Sequence, residues 1–269
     1  MLRRRRSFAT TAAVLLWATP SLGRECVFHL HIPKCAGTFF WRYLRRKFCA
    51  EAEICGRRNN LRPPPACACA VNPITTDEAV LGAMRRGEYR FVSSHALVPT
   101  KCAIVAWFRE PLARVVSHHG YFRHRRHHNV TLESLFDGKP PRWASNQQWS
   151  LLLRANVAGA GRPSADDART AEAALRDLAF VGIVEHMDAA LCLFADVFHL
   201  ADVCDTSGRP PPQRENVAQK PPPKLLDAAL RAQLERHNRY DALLYDLAQR
   251  EFRNRRRTGA GTGQTMTQD

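Results

Sequence analysis

Three short apolar runs separated by helical patterns constrain the fold of this chain more than any other feature. The runs are residues 26–32 (CVFHLHI), 102–108 (CAIVAWF) and 180–184 (FVGIV), and residues 89–93 (YRFVS) are a fourth strand candidate. Strands buried on both faces are apolar along their length, and strands that alternate with helices form parallel sheets. The pattern therefore predicts an α/β fold with a central parallel sheet flanked by helices.

Helical spacing of apolar residues occupies much of the remaining chain. The predicted helices cover residues 38–48, 75–86, 111–126, 146–154, 166–177, 187–199, 224–235 and 239–252. We find no internal repeat and no second domain, so residues 24–252 are predicted to form one domain. Residues 253–269 are rich in Gly, Thr and Arg and are predicted to be a disordered basic tail.

Residues 1–23 are typical of a segment that directs a protein into the secretory pathway. Four arginines at residues 3–6 precede an apolar stretch over residues 8–18, and the small residues Ser21 and Gly23 suit a cleavage site. We expect a signal peptide or a short signal anchor. An organelle transit peptide is the third alternative, because the segment is rich in arginine and lacks acids.

The chain is strongly basic. Its 269 residues carry 40 Lys and Arg against 25 Asp and Glu, a net charge of +15, and the arginine-rich ends account for only part of it. A basic body favours a polyanionic partner, which can be nucleic acid, anionic lipid, nucleotide or acidic glycan. With 45% hydrophobic residues, the composition excludes a collagen-like fibre, a disulfide mini-protein and a polytopic membrane protein.

Nine cysteines and one glycosylation sequon favour an oxidising compartment. Four cysteines flank a proline-rich turn: Cys49, Cys55, Cys67 and Cys69. Their spacing differs from that of a zinc knuckle and no histidine lies among them, so we expect disulfides there. Cys192 and Cys204 are a further expected pair, and the odd total leaves at least one thiol free or paired between chains. The sequon begins at Asn129, a candidate glycosylation site.

The loop after the first strand has the composition of an anion-binding turn. Small residues between a strand and a helix aim several backbone N–H groups at one point, and the helix dipole adds positive charge there. Residues 33–38 (PKCAGT) provide such a loop, with the charge of Lys34 and the hydroxyl of Thr38. The loop lacks the Walker A order, so it predicts phosphate or sulfate binding of another type.

A second cationic segment follows the strand at residues 102–108. Residues 109–117 (REPLARVVS) place Arg109 at the end of that strand and Ser117 two turns into the next helix. In an open α/β sheet the ligand lies at the carboxyl ends of the strands. One rim is therefore expected to carry three loops, residues 33–38, 94–99 and 109–111.

Together the two segments resemble the signatures of sulfotransferases that use 3'-phosphoadenosine 5'-phosphosulfate (PAPS). In that family a P-K-x-x-x-T loop holds the 5'-phosphosulfate, and an R-x-P-x-x-R-x-x-S segment holds the 3'-phosphate. The matching residues are Pro33, Lys34, Thr38, Arg109, Pro111, Arg114 and Ser117. Four further segments resemble the Golgi carbohydrate sulfotransferases, particularly the branch of the heparan sulfate 2-O- and 6-O-sulfotransferases: residues 89–95, 146–148, 180–185 and 238–245.

The resemblance implies a P-loop-like three-layer fold, PAPS as the sulfuryl donor, no metal, and an acidic or neutral glycan acceptor. The implied donor-binding residues are Lys34, Cys35, Ala36, Gly37, Thr38, Phe39, Arg109 and Ser117. The implied location is the Golgi lumen, with the chain either a single-pass type II membrane protein or cleaved and secreted. Two features depart from the family: Phe39 replaces a common Thr or Ser, and almost no stem separates the apolar segment from residue 26.

Sulfuryl transfer to a sugar requires a base, because a hydroxyl is a poor nucleophile. His95 lies on the loop after the strand at residues 89–93 and is the expected general base. Lys34 is the expected second catalytic residue, since its charge can neutralise the developing charge on the leaving phosphate. His29 and His31 lie inside the first strand and are expected to be packed structural residues. Arg114 is expected to support its loop or to touch the ligand.

The acceptor side is predicted from residues 118–128 (HHGYFRHRRHH), the most basic stretch inside the fold. This stretch is expected to be a face for an acidic glycan or, alternatively, a solvated helix end. The candidate acceptor-binding residues are Arg123 of this stretch and, as the resemblance implies, Asn146, Gln147 and Trp149. Amides and an indole suit sugar hydroxyls and ring faces. The tryptophans can equally belong to the core.

The sequence thus favours a carbohydrate sulfotransferase over two alternatives. The first is a secreted basic protein that binds a polyanion or glycan without catalysis, and the second is a catalytically inactive relative. A nucleic-acid partner is not expected, because a secretory N-terminus opposes it and the charge alone does not explain two ordered anion-binding loops. The acceptor sugar and the sulfated position stay open, as does a tyrosine or small-metabolite acceptor.

Overall fold

The computed structural model of the chain describes residues 27–40, 43, 91–95, 102–126, 130–154, 161–200 and 226–259. The expected N-terminal signal at 1–23, the cysteines at 49–69, Cys204, the helix at 75–86 and the sequon residue Asn129 lie outside these residues.

Among the described residues, four parallel strands form one sheet. They are β1 (Val27–Leu30), β2 (Phe91–Ser94), β3 (Ala103–Phe108) and β4 (Phe180–Ile183), in the spatial order β2-β1-β3-β4. Each neighbouring pair is parallel, and Leu30 lies between Ser94 and Ala106 in the register. The prediction of an α/β fold around a central parallel sheet is confirmed, because the apolar runs are the buried strands.

The described part of the chain contains six α-helices that accompany the sheet. They are α1 (Pro111–Arg126), α2 (Gln147–Leu153), α3 (Ala165–Asp177), α4 (Met187–Val197), α5 (Ala228–His237) and α6 (Arg239–Gly259). Helical residues 37–40 follow β1, and short 3-10 turns cover Ser134–Phe136, Arg142–Ala144 and Val184–His186. Local sequence explains the helix starts: Pro111 occupies the first turn of α1, and Ser164 and Asp167 form a capping box at α3.

Aromatic side chains fill the core above the middle of the sheet. The rings of Phe40, Trp107, Phe180 and Phe194 meet edge to face at centroid distances of 5.0 to 5.5 Å. Gly182 in β4 makes room for Trp107, since a Cβ there would lie 2.6 Å from the indole. This packing locks the helical residues after β1 against the sheet and so fixes the loop between them.

Helix α6 is longer than predicted, and the prediction of a disordered tail from residue 253 is wrong up to Gly259. Arg255 explains the extension. Its guanidinium donates to the carbonyl oxygens of Leu178 at 2.7 Å and Leu175 at 3.0 Å, and its Nε lies 2.7 Å from Glu251. The extra turns of α6 therefore satisfy carbonyl groups at the end of α3. Residues 260–269 lie outside the described residues.

The described cysteines divide into two kinds. Cys102 and Cys192 are disulfide-bonded, whereas Cys35 is free and buried. A free thiol is one of the two outcomes that the odd number of cysteines requires. None of the helices that the structure describes has the length and apolar character needed to cross a bilayer.

Candidate functional site

All four strands end at the same edge of the sheet because they run parallel. The segments that leave this edge are residues 31–36 after β1, His95 after β2, residues 109–110 after β3 and Val184–His186 after β4. These include the described parts of the loops that the sequence predicted to share one rim. The two predicted anion-binding loops therefore lie beside each other, since β1 pairs directly with β3.

The loop after β1 has an unusual backbone. Lys34 has a φ of 67° and Ala36 a φ of 57°, both in the left-handed region that residues with a side chain rarely occupy. Gly37 follows at the start of the helical turn, and a Cβ there would overlap the imidazole of His31. Thr38 is exposed and Phe39 is half-buried against the core. The loop thus takes a tight path that only glycine permits at its closest approach to His31.

Arg109 joins the two loops. Its Nη1 donates to the carbonyl oxygen of Lys34 at 3.1 Å, and its backbone N–H and C=O are both bound by the side-chain amide of Gln148. Its Nε atom is buried and finds no hydrogen-bond partner among the described residues. The guanidinium of Arg109 therefore links the segment after β3 to the loop after β1.

Arg114 and Ser117 lie deeper than Arg109. Arg114 is fully buried, its Nη1 donates to the carbonyl oxygen of Trp143 at 2.9 Å and to Gln147 at 2.6 Å, and its Nε lies 3.6 Å from Asp241. Arg114 therefore contacts other buried groups of the protein, as expected for the first of its two alternative roles, support of its loop. Ser117 is also buried, one turn further along α1.

His95 carries its proton on a defined nitrogen. Its Nδ1 lies 2.6 Å from the carbonyl oxygen of His31, which can only accept a hydrogen bond, so Nδ1 donates and Nε2 holds the lone pair. Burial lowers the pKa of His95 below 6.5, and the bond to His31 partly opposes this shift. The imidazole is therefore neutral at pH 7 and can accept a proton at Nε2.

Two further histidines lie behind His95. The rings of His31 and His95 stack at 4.4 Å, and the rings of His29 and His31 at 5.4 Å. His29 is buried and pairs with the Ser93 hydroxyl at 3.0 Å, which agrees with its expected structural role. Burial, followed by the nearby positive charges, lowers the pKa of His31 to about 3. This row of neutral rings fixes the orientation of the base.

His118 is a site residue that sequence reasoning placed only in the general basic face. It is 7% exposed, and burial, then the charges of Arg114 and Lys34, lower its pKa to about 3. Its ring stacks on Phe122 at 5.0 Å and meets Trp143 at 4.8 Å. Helical spacing was the available signal, because Arg114, Ser117, His118 and Tyr121 follow the three-to-four-residue repeat of a single helix face.

Tyr121 extends this aromatic group to the loop after β1. Its ring is 44% exposed, lies 4.7 Å from the Nζ atom of Lys34 and meets Phe122 at 6.0 Å. The cation of Lys34 therefore rests on an aromatic face at the entrance of the site. Arg123, predicted to bind the acceptor, is exposed on the same helix.

The other predicted acceptor residues hold elements of the fold together. Asn146 is fully buried, and its Oδ1 accepts from the backbone N–H groups of Tyr240 at 3.1 Å and Asp241 at 3.3 Å. Trp149 is 2% exposed and packs edge-on against Tyr240. Gln147 is half-buried and bound to Arg114. Because Asn146 and Trp149 have almost no accessible surface, neither is included among the acceptor contacts proposed below.

Within the described part of the chain, no group of three or more His, Cys, Asp or Glu side chains is arranged to hold a metal ion. No protein-family model matches the chain, and no curated protein matches it. The resemblance to PAPS-dependent sulfotransferases therefore rests on the motif residues themselves and on the geometry around them.

Proposed function

We propose that this protein is a sulfotransferase that moves a sulfuryl group from PAPS to a hydroxyl of a carbohydrate acceptor. One observation carries the proposal. A neutral histidine, His95, whose proton is committed to a backbone carbonyl, lies at the strand edge that also holds Lys34 and Arg109. A base beside two cations from two linked loops suits the transfer of a charged group to a hydroxyl.

The residues present fit a donor with two anionic groups. Lys34 and the backbone of residues 35–39 would hold the 5'-phosphosulfate, and Arg109 with Ser117 would hold the 3'-phosphate. The role of Ser117 requires that its buried hydroxyl become accessible when the donor binds. Arg109 is half-buried where the chain leaves β3, and a guanidinium in that position supports this assignment because it forms forked bonds to phosphate oxygens. When bound, PAPS supplies an activated sulfuryl group on a phosphate leaving group.

His95 acts as the general base in this proposal. Its Nε2 takes the proton of the acceptor hydroxyl as the oxygen of that hydroxyl bonds to sulfur and the bond from sulfur to the phosphate oxygen breaks. The bond from Nδ1 to His31 keeps the lone pair on Nε2 and stabilises the imidazolium that forms. Lys34 neutralises the charge that develops on the leaving oxygen. The chemistry proposed requires no metal.

The acceptor side is proposed to lie over Tyr121, with Arg123 and Gln147 nearby. Tyr121 is 44% exposed and offers ring surface to a sugar, and the cation of Lys34 over one face of that ring suits an acidic glycan. The P-loop-like form of the three-layer fold is part of the same proposal, supported by the strand, tight loop and helical turn over residues 27–40. No nucleic-acid partner is proposed.

The proposed location is the secretory pathway, with the Golgi lumen as the site of action and residues 1–23 as signal or anchor. The disulfides at Cys102 and Cys192 support it, because such bonds persist in oxidising compartments.

A polyanion-binding protein without catalysis is the second candidate. Its support is a cavity of about 720 Å³ beside the start of α1, lined in part by Arg231, Arg236 and Arg239. Glu110 and Glu235 also line this cavity, and Glu235 lies 3.9 Å from Arg231, so its positive charge is partly compensated. This candidate does not use the fixed tautomer of His95, which is why the enzyme is preferred.

The test is a calorimetric titration of the full chain with adenosine 3',5'-bisphosphate, with AMP as the matched ligand that lacks the 3'-phosphate. The proposal expects binding that depends on the 3'-phosphate. It also expects radiolabelled sulfate to move from PAPS to at least one member of a panel of desulfated glycans. Absence of bisphosphate binding by folded protein would remove the sulfotransferase, and glycan binding without transfer would favour the second candidate.

A further inference from the structure

We propose that Gln148 is a positioning residue that holds the two anion-binding loops at a fixed separation, so that one ligand with two anionic groups is bound by both. The identity of that ligand rests on the proposed function, whereas the mechanical role of Gln148 does not. Gln148 lies on α2, outside both motifs that the sequence singled out.

The side-chain amide of Gln148 contacts both loops. Its Oε1 accepts from the backbone N–H of Arg109 at 2.9 Å and from the thiol of Cys35 at 3.4 Å, and its Nε2 donates to the carbonyl oxygen of Arg109 at 2.8 Å. The residue is fully buried. One amide thus pairs with both backbone polar groups of Arg109, the residue that follows β3, and with the thiol of Cys35 in the loop after β1.

These bonds determine how Arg109 is presented. Both backbone polar groups of Arg109 are held by one planar amide, so the peptide of residue 109 cannot rotate without leaving buried groups unpaired. The Arg109 side chain then crosses to the carbonyl oxygen of Lys34. The separation of the two loops is therefore set by two independent links, one through Gln148 and one through Arg109.

Gln148 is itself rigidly held. Asp241 on α6 accepts from the backbone N–H groups of Gln148 at 3.2 Å and Trp149 at 2.8 Å, and its carboxylate lies 3.6 Å from Arg114. In return, Asn146 accepts from the first N–H groups of α6. Helices α2 and α6 thus cap each other, and this buried network carries the position of Gln148 to the loops.

If Gln148 only filled space, a side chain of the same length without the amide would leave both loops unchanged. Gln148→Met keeps the length of the side chain and removes the amide, so the packing is nearly retained while the links to Arg109 and Cys35 are lost. Gln249→Met is the matched control, because it removes a half-buried amide that bonds to Arg253 on its own helix, α6. Only the positioning role expects the two variants to differ at the loops.

Two measurements on the full chain separate these roles. The first is the labelling rate of the free thiol Cys35 by a maleimide, read by peptide mass spectrometry without any ligand. We expect Gln148→Met to label about tenfold faster than wild type, and Gln249→Met to label within about twofold of it. The second is the ratio of the Kd for AMP to the Kd for adenosine 3',5'-bisphosphate, which Gln148→Met should lower about tenfold.

Each outcome bears on the proposal. Equal Cys35 labelling in all three proteins would show that Gln148 does not hold the loop after β1. An equal effect of both variants in either assay would also contradict the positioning role of Gln148. Faster labelling with an unchanged ligand ratio would overturn the role in ligand binding. If the wild-type protein binds no bisphosphate, the proposed function fails, but the labelling rates still test whether Gln148 holds the two loops. Should Gln148→Met not fold, Gln148→Asn, which retains the amide but shortens it, is measured with the same expectations.

Discussion

The Nδ1 atom of His95 lies 2.6 Å from the carbonyl oxygen of His31, and this contact assigns the tautomer of the ring. His31 belongs to the loop after β1 and His95 follows β2, so the pairing of those two strands creates the contact. A histidine held in this way is a base with one free lone pair, because the backbone carbonyl consumes its only proton donor. The candidate base is thus prepared by the sheet itself.

Replacing His95 by alanine should reduce the rate of sulfuryl transfer by about 10²- to 10⁴-fold, the usual contribution of a general base. Binding of adenosine 3',5'-bisphosphate should stay within about twofold of wild type, because the cations that hold it are untouched. The measurements are single-turnover transfer and calorimetry on the same preparation. Full transfer by the variant would show that another group is the base.

The acid limb of the rate profile should follow His95. Burial holds its pKa below 6.5, so the ring stays neutral, and active as a base, until the pH falls below that value. The activity measured as kcat/KM should therefore decline in acidic solution with a midpoint under 6.5. A midpoint above 6.5 in the kcat/KM profile of the wild-type enzyme, which reports the free enzyme, would contradict the assignment.

Lys34→Ala and Arg109→Ala should each weaken bisphosphate binding by roughly 10- to 100-fold, since a hydrogen bond to a charged group is worth about 1.5–3 kcal/mol. Arg253→Ala is the control for the loss of one positive charge, because Arg253 is exposed on α6 and bonds to Gln249 on its own helix. Titration calorimetry at fixed ionic strength provides the comparison. An equal loss in all three variants would indicate general charge attraction and not a specific site.

Much of the fold could be predicted from the sequence, because strands buried in a parallel sheet are continuous apolar runs. The apolar runs became β1, β3 and β4 with bounds shifted by one or two residues, and α1 spans the predicted residues 111–126. The extension of α6 could not be predicted from the sequence, because it depends on hydrogen bonds from Arg255 to carbonyl groups about 80 positions earlier in the chain. A contact of that kind has no local signature in the sequence.

The sequence predicted the residues of the candidate site that belong to loop motifs. It did not predict the residues that reach the site through contacts between distant parts of the chain. Lys34 and Arg109 stand in the predicted loops, and His95 lies beside them after β2. The positions of Gln148 and His118 depend on contacts between distant segments of the chain. The amide of Asn146, which was predicted to bind the acceptor, is buried and caps α6. Polar residues near a motif can serve the ligand or the buried network equally well, and composition does not distinguish the two.

Gly37→Ala should damage the site although the change adds a single methyl group. The new Cβ would overlap the ring of His31, which must then move, and overpacking of this kind costs about 1–3 kcal/mol. Displacement of His31 also disturbs the carbonyl that holds His95, so transfer should fall together with the free energy of unfolding. Gly120→Ala on α1 is the control, because no atom lies within 4 Å of its added Cβ.

Gly120→Ala should instead stabilise the protein by about 0.5–1 kcal/mol, the usual gain from replacing glycine inside a helix. Chemical denaturation and single-turnover transfer, measured on both variants, check the pair. A Gly37→Ala protein with wild-type stability and rate would mean that His31 can move freely, and the proposed support for the base would be wrong.

The buried neutral histidines should make the folded state sensitive to acid. His31 and His118 each have a folded pKa of about 3, against an ordinary value of 6.5. Between these values the unfolded chain binds protons that the folded chain does not, so stability is fully present above pH 6.5 and is lost as the pH falls toward 3. Well below 6.5, each group contributes a slope of about 1.4 kcal/mol per pH unit.

His118→Phe should reduce that slope by the contribution of one group, because phenylalanine keeps the stacking on Phe122 and Trp143 without a titrating nitrogen. His199→Asn is the matched control: His199 is exposed, and its φ of 49° is one that asparagine tolerates. Urea unfolding measured from pH 7.5 to 4.5 gives the slopes. Equal slopes for wild type and His118→Phe would mean that His118 is protonated in the folded protein, and the aromatic group beside Lys34 would then carry a charge.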